Sequence, residues 1–103
     1  MMWLIISQTM NPFYMQRDVN RLSVEIYDQN YKNCSECINQ LIYAIKDALS
    51  DNFIGAKYSQ KPLYDGTKQD IIYIKLRNYT EKDSLIVDNV LKEKGVSDYV
   101  IRH

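Results

Sequence analysis

The strongest constraint in this sequence is a strict alternation of apolar and polar residues in two short segments. Leu22–Tyr27 and Ile72–Arg77 each carry an apolar residue at every second position, with a polar residue or a tyrosine between. Successive side chains of a β-strand point to opposite faces of the sheet. The two segments therefore predict strands of an antiparallel sheet that buries one face and leaves the other in water.

Two other segments predict amphipathic helices, because their apolar residues recur at steps of three and four. We expect Asn33 to be the N-cap of the first helix, with Glu36 placed to complete a capping box. The second helix should begin at Thr80, with Asp83 three residues later, and stop at Gly95. The apolar positions are Cys34, Cys37, Ile38, Leu41, Ile42, Ile45, Ala48 and Leu49 in the first helix, and Ile86, Val87, Val90 and Leu91 in the second.

Two shorter strands are predicted at Phe53–Ser59 and Tyr99–Arg102. The hairpin after the first of them contains an Asp-Gly step at 65–66, and a two-residue turn there would place Lys57 opposite Ile74 on the buried face. We therefore expect a bulge or a wider loop to shift the pairing. With that shift, the residues of this strand that face the helices are Ile54, Ala56 and Tyr58.

The order of elements is strand, helix, strand, strand, helix, strand, which predicts a ferredoxin-like βαββαβ α+β fold. Both helices should lie on one face of the sheet, with the first and third strands in the middle. A chain of 103 residues can bury one core, so we expect a single domain over 1–103. Its βαββαβ core spans 21–103, and residues 1–20 form an N-terminal strand and loop extension in which the apolar run Trp3–Ile6 is an added strand.

The open face of this sheet is the candidate binding surface. Basic and acidic side chains number 13 each, so the whole chain has no net field, yet the stretch from Lys57 to Arg77 has five basic residues against two acidic ones. Tyrosine and arginine are common anchors of protein interfaces. The candidate partner-binding residues are Tyr27, Lys57, Tyr73, Lys75, Arg77 and Arg102 on the sheet, and Trp3, Phe13 and Tyr14 in the N-terminal extension.

These residues favour a small non-enzymatic binding or regulatory protein, such as an accessory or inhibitor protein. It would engage a protein partner, or a second copy of itself as a homodimer, through the Tyr, Lys and Arg residues of the sheet face. The alternative is single-stranded nucleic acid, whose bases stack on aromatic rings while its phosphates meet cations. A plain solvent-facing surface is the third interpretation, since tyrosine is at home on the wet face of a strand.

The pair Cys34 and Cys37 forms a CxxC motif at the start of the first predicted helix. Such a pair can hold a soft metal or form a redox couple. A CxxC at the junction of the first strand and first helix of a βαββαβ unit resembles the heavy-metal-associated domains of copper chaperones and pumps. The resemblance implies soft-metal binding by the two thiolates, although 31–33 reads Tyr-Lys-Asn where that family has Gly-Met-x. The apolar stripe of the helix instead predicts that both thiols pack in the core.

Enzymatic motifs do not emerge from the sequence, so we predict neither catalysis nor a cofactor. The single histidine, His103, is the last residue, where fraying would hold a general base poorly. The carboxylates Asp28, Asp65 and Asp70 could share a metal only if their loops converged, and we expect them to be solvated turn residues.

The N-terminus is apolar from Met1 to Ile6, but it has no basic residue and no small-residue cleavage site, which argues against a signal peptide. No stretch of about 20 residues is apolar enough to cross a bilayer. We therefore expect a cytoplasmic protein without membrane contact, in which both cysteines are reduced.

Overall fold

The computed structural model describes residues 20–103, which form an α+β domain with one four-stranded antiparallel sheet and two helices. The order of the strands across the sheet is β2-β3-β1-β4, so the two segments with the strictest alternation are the middle strands. A 3-10 turn at Ser50–Asn52 joins the first helix to the second strand. The elements are β1 (Arg21–Ile26), α1 (Ser35–Leu49), β2 (Phe53–Pro62), β3 (Lys68–Leu76), α2 (Glu81–Glu93) and β4 (Tyr99–Arg102).

A single apolar cluster joins the sheet to both helices, which places the helices on the same face. The alternate residues of β1 and β3 point into this cluster, and α1 and α2 each contribute one stripe. Complete burial of one such side chain stabilises the fold by about 1.5 to 3 kcal/mol. The core residues are Leu22, Val24 and Ile26 of β1, Ile72, Ile74 and Leu76 of β3, Ile38, Leu41, Ile45 and Leu49 of α1, Val87, Val90 and Leu91 of α2, and Val96.

The hairpin between β2 and β3 has the wider loop that the sequence predicted. Pro62 pairs with Lys68, so the connection comprises residues 63–67 and Lys57 faces Tyr73, not Ile74. Gly66 has a φ of 87°, which the turn requires and which glycine adopts at little cost. Both strands extend further toward the loop than predicted, because β2 continues past Ser59 to Pro62 and β3 begins at Lys68, before Ile72.

A bulge between Phe53 and Gly55 corrects the predicted orientation of Ile54. The extra residue leaves Ile54 49% exposed, and Phe53 packs against the core in its place. Tyr58 also packs against the core, as predicted. Ala56 pairs with Ile74 but is exposed, since β2 is an edge strand.

The N-cap of α1 is Cys34, and the prediction of Asn33 is wrong. Asn33 has a φ of 59°, in the left-handed region, whereas an N-cap residue needs an extended backbone. The Cys34 Sγ atom accepts a hydrogen bond from the backbone N–H of Cys37 at 3.2 Å, and Glu36 forms no capping box with Asn33. The start of α2 is as predicted, with Thr80 and Asp83 forming a capping box.

Two of the three carboxylates expected to be solvated are buried. Asp28 is 4% exposed and accepts hydrogen bonds from the backbone N–H and the hydroxyl of Ser97, at 2.8 and 3.0 Å, and from the N–H of Asn30. Asp70 is 1% exposed and accepts from the Tyr58 hydroxyl at 2.7 Å. Only Asp65 is exposed, in the hairpin loop. Within residues 20–103, no group of three or more His, Cys, Asp or Glu side chains is placed to hold a metal.

Candidate binding surface

The strand register puts Tyr73 on the face of the sheet opposite the helices. Its neighbours Ile72 and Ile74 are fully buried in the core, so the ring of Tyr73 points the other way. Across the sheet it pairs with Ser23 of β1 and Lys57 of β2. Among the described residues, the candidate surface therefore lies on the face of the sheet that neither helix covers. Tyr73 is partly exposed there.

A shallow groove of about 450 Å³ surrounds Tyr73 on this face, and we call it the basic groove. The guanidinium of Arg21 lies 5.2 Å from the centre of the Tyr73 ring, a cation–π contact. The ion pairs among residues 20–103 are Lys92 with Asp88 and Arg102 with Glu25, so none involves a cation of this groove. The described residues that line the basic groove are Arg21, Gly55, Ala56, Lys57, Tyr73 and Lys75.

The described lining of the basic groove is positively charged. Three of its six described residues are cations and none is a carboxylate. Gly55 adds no side chain, and a Cβ built there would meet nothing within 4 Å. The partly exposed Tyr73 ring therefore lies among positive charges, an arrangement that suits a ligand with an anionic group beside an apolar one.

The other half of the face is internally neutralised around Glu25. Its carboxylate accepts a hydrogen bond from Arg102 Nε at 2.8 Å and another from the Tyr27 hydroxyl at 3.0 Å. The Arg102 bond is the main cause that lowers the pKa of Glu25, and partial burial opposes it. Tyr27 and Arg102 thus lie where the sequence placed them, but Glu25 engages the polar groups of both.

Arg77 is the sheet residue that the structure separates from the others. β3 ends at Leu76, and the Arg77 side chain donates from Nε to the backbone carbonyl of Asp51 at 2.8 Å. Its backbone N–H donates to the carbonyl of Asn52 at 2.9 Å. Arg77 therefore ties the end of β3 to the 3-10 turn and does not line the basic groove. Trp3, Phe13 and Tyr14, with the predicted N-terminal strand, lie outside the described residues.

Three residues of this face were not among the sequence candidates. Arg21 precedes the alternating segment, although its position two residues before Ser23 was a signal for the open face. Ile71 pairs with Glu25 but is buried, so that part of the face offers little surface to a partner. Val100 of β4 is 38% exposed and adds apolar area beside the cations and tyrosines, a mixture typical of protein interfaces.

Cys34 and Cys37 are joined by a disulfide, so the expectation of reduced thiols is wrong for this structure. Both residues are partly exposed, which also contradicts their placement in the core. Cys34 lies before the first helical residue, where the periodicity of the helix does not apply, and Cys37 lies in the first turn. A disulfide leaves neither sulfur as a thiolate, the form that the resemblance to metal-binding domains requires.

His103 is held more firmly than its terminal position suggested. Its ring stacks on Tyr79 with the centroids 3.6 Å apart and the planes inclined by 16°. The Tyr79 hydroxyl in turn is hydrogen bonded to the hydroxyl of Ser84 at 2.9 Å. This stack fixes the end of β4 against the start of α2.

Comparison with known proteins gives a likeness of fold. No family model and no curated protein matches the sequence. A de novo designed protein, Foldit4, is similar in structure, with a TM-score of 0.51 and 13% sequence identity over 80% of this chain and 89% of the designed one. At that identity the likeness extends to the α+β fold alone. No helix within residues 20–103 has the length and hydropathy to span a membrane, and a cytoplasmic location stays a prediction.

Proposed function

We propose that this chain is a small non-enzymatic binding or regulatory protein whose basic groove engages an acidic segment of a protein partner. The observation that carries the proposal is the set of three cations, Arg21, Lys57 and Lys75, around the Tyr73 ring with no carboxylate among the described lining residues. An accessory or inhibitor role fits a surface of this kind. We further propose a ferredoxin-like core with an added N-terminal strand, a proposal supported for the core by the element order and the strand order β2-β3-β1-β4.

The composition of the whole face favours a protein over a nucleic acid. Glu25 lies on the same face and pairs with Arg102, so Arg102 does not extend the basic groove into the continuous row of cations that a phosphate backbone across the sheet would need. Tyr27 is hydrogen bonded to that carboxylate, and Tyr73 is the aromatic residue in the described lining of the groove. Single-stranded nucleic acid is usually held by several stacking rings in a continuous basic channel. Burying Tyr73 and Arg21 against a protein needs neither feature.

The binding test uses a synthetic Glu-rich peptide with one Trp, and maps its contacts by two-dimensional NMR of the isotope-labelled full chain. We expect chemical-shift changes confined to the groove, and a loss of about tenfold or more in affinity for Lys57→Glu or Tyr73→Ala, the size seen at interface anchors. The matched control is Lys82→Glu, an equal charge reversal at an exposed position of α2. It should bind the peptide as the unmodified chain does.

The same titration with single-stranded oligothymidylate, at low and physiological ionic strength, separates the two ligand classes. If the chain binds the oligonucleotide more tightly than the peptide, and if that affinity falls steeply as salt is added, the groove is a site for single-stranded nucleic acid and the proposal of a protein partner is wrong. An equal loss of peptide affinity in the Lys82→Glu protein would show that only overall charge matters. Sedimentation equilibrium of the chain alone tests the homodimer, which a monomer at all concentrations would exclude.

A further inference from the structure

The Cys34–Cys37 disulfide contributes little to holding the fold together. It spans only two intervening residues, Ser35 and Glu36, and the first turn of α1 already brings the two cysteines close, with Cα atoms 5.2 Å apart. A cross-link restricts the unfolded chain less when the loop it closes is short. The stability of the fold therefore gives no strong reason for a bond at this place.

The same bond is placed where thiol chemistry is favoured. Cys34 is the N-cap of α1, and its Sγ atom accepts the N–H of Cys37 at 3.2 Å. The unpaired N–H groups and the positive end of the helix dipole stabilise negative charge at this point. A thiolate that forms on Cys34 would keep this hydrogen bond. Both cysteines are partly exposed, so an external thiol can approach them.

We propose that Cys34 and Cys37 form a reversible thiol–disulfide exchange site for small thiols of the glutathione class. The thiolate of one external thiol attacks Cys37 Sγ, the bond between the cysteines breaks, and its electron pair leaves on Cys34 Sγ. A second external thiolate then attacks the sulfur of the first and releases the Cys37 thiolate. One external disulfide is formed and the protein disulfide is reduced by two electrons, while the protons of the two external thiols pass to the cysteines.

The direction of attack follows from the cap. Exchange is faster when the departing sulfur is the better stabilised thiolate. Cys34 has the hydrogen bond from the Cys37 N–H, whereas no hydrogen bond to Cys37 Sγ occurs among residues 20–103. Cys34 is therefore the leaving group in reduction and, once reduced, the more reactive nucleophile. The cap persists in either state, so the helix should not unfold on reduction.

The test equilibrates the full chain in buffers of reduced and oxidised glutathione at a series of ratios. Free thiols are trapped with a polyethylene glycol maleimide and counted by their shift on a gel. We expect both thiols to appear together, with the chain passing from fully oxidised to fully reduced within the range of the buffers, and with an unchanged circular dichroism spectrum. A disulfide that stays closed in reduced glutathione alone would overturn the proposal, as would thiols that stay free in oxidised glutathione.

Two single-cysteine variants test the role of the cap separately. Cys37→Ser leaves Cys34 as the only thiol, and Cys34→Ser leaves Cys37 with a hydroxyl cap in its place. We expect iodoacetamide to modify Cys34 faster than Cys37, by on the order of tenfold. Equal rates would refute the assignment of Cys34. The glutathione result does not depend on the proposed function, because peptide binding to the basic groove is measured on the opposite face of the sheet.

Discussion

Each outer strand of the described sheet carries a tyrosine that is hydrogen bonded to a carboxylate. The Tyr58 hydroxyl donates to the buried Asp70, and the Tyr99 hydroxyl donates to Asp88 of α2. Burial, followed by the bond to the neighbouring carboxylate, raises the pKa of each tyrosine to about 12. Both tyrosine rings also pack against the apolar core, so each side chain makes an apolar contact as well as a hydrogen bond.

The raised tyrosine pKa values predict a loss of stability in strong alkali. Each group has a higher pKa in the folded chain than the ordinary value of 10.0, so its contribution is complete below pH 10 and is lost as the pH rises toward 12. We expect Tyr58 and Tyr99 to ionise late in the absorbance titration of the folded chain. Tyr58→Phe and Tyr99→Phe should each remove one late ionisation. A titration curve that neither substitution changes above pH 10 would contradict the assignment.

Asp28 predicts a stability effect at acidic pH. Its hydrogen bonds from the backbone N–H groups of Ser97 and Asn30 lower its pKa, so the stability it contributes is present above the ordinary value of 3.8 and is lost as the pH falls through the lower folded value. Asp28→Ala leaves the donors of Ser97 without their acceptor and should cost about 1 to 3 kcal/mol at neutral pH. Urea unfolding measures this cost.

The matched control for Asp28 is Asp65→Ala in the hairpin loop. Asp65 also accepts hydrogen bonds from the backbone N–H and the hydroxyl of one residue, which here is Thr67, but Asp65 is exposed to solvent. The two variants each remove an acceptor of one N–H and one hydroxyl, but Asp28 is buried and its Ser97 donors lie 69 positions away, whereas Asp65 is exposed and its donors lie two positions away. An equally large loss of stability in the Asp65 variant would show that neither burial nor the long-range contact accounts for the effect.

At the scale of elements, the alternating segments could be predicted because each residue's environment follows from its own position in the strand. The ends of the hairpin could not, since Gln60, Lys61, Lys68 and Gln69 are polar and pair only because the opposite strand extends as far. The bulge at Ile54 could not be predicted for a related reason. A shift of one residue reverses the face of every side chain beyond it, and the sequence carries no local mark of that shift.

The bulge gives a direct test by substitution in β2 and β3. Ile74→Ala removes a fully buried side chain and should lower the free energy of unfolding by about 2 to 5 kcal/mol. Ile54→Ala removes a side chain that is half exposed, and we expect a change within about 0.5 kcal/mol. Chemical denaturation of both variants provides the comparison. A loss at Ile54 as large as that at Ile74 would mean that Ile54 faces the helices after all.

The candidate site could be predicted only in part, for the same physical reason. The face of the sheet on which Lys57, Tyr73 and Lys75 lie follows from the alternation and from the corrected hairpin register. The contact of Arg21 with the Tyr73 ring joins neighbouring strands and depends on their register. To predict the disulfide, the first residue of α1 would have to be known to within one position. A pattern of apolar residues defines helix ends less closely than that.

At the scale of the whole molecule, a neutral chain carries an uneven distribution of charge. The 13 basic and 13 acidic side chains balance overall, yet the described lining of the basic groove contains cations alone. Composition therefore excludes a strong general attraction to polyanions without excluding a local one. The Arg102–Glu25 pair beside the groove confines the unbalanced charge to one half of the face.

The bulge in β2 also limits what can join the outer margin of the sheet. β2 is the last strand on its side among the described residues, and its far side presents backbone groups that a foreign strand could extend. The kink at Ile54 interrupts that margin at one end, and Pro62, which lacks an N–H, interrupts it at the other. Lys57 and Lys61 add like charges that repel a second copy aligned there. Among the described residues, the stretch of this margin that a foreign strand could extend without interruption is therefore 55–61, and so short a stretch disfavours stacking of copies into fibrils.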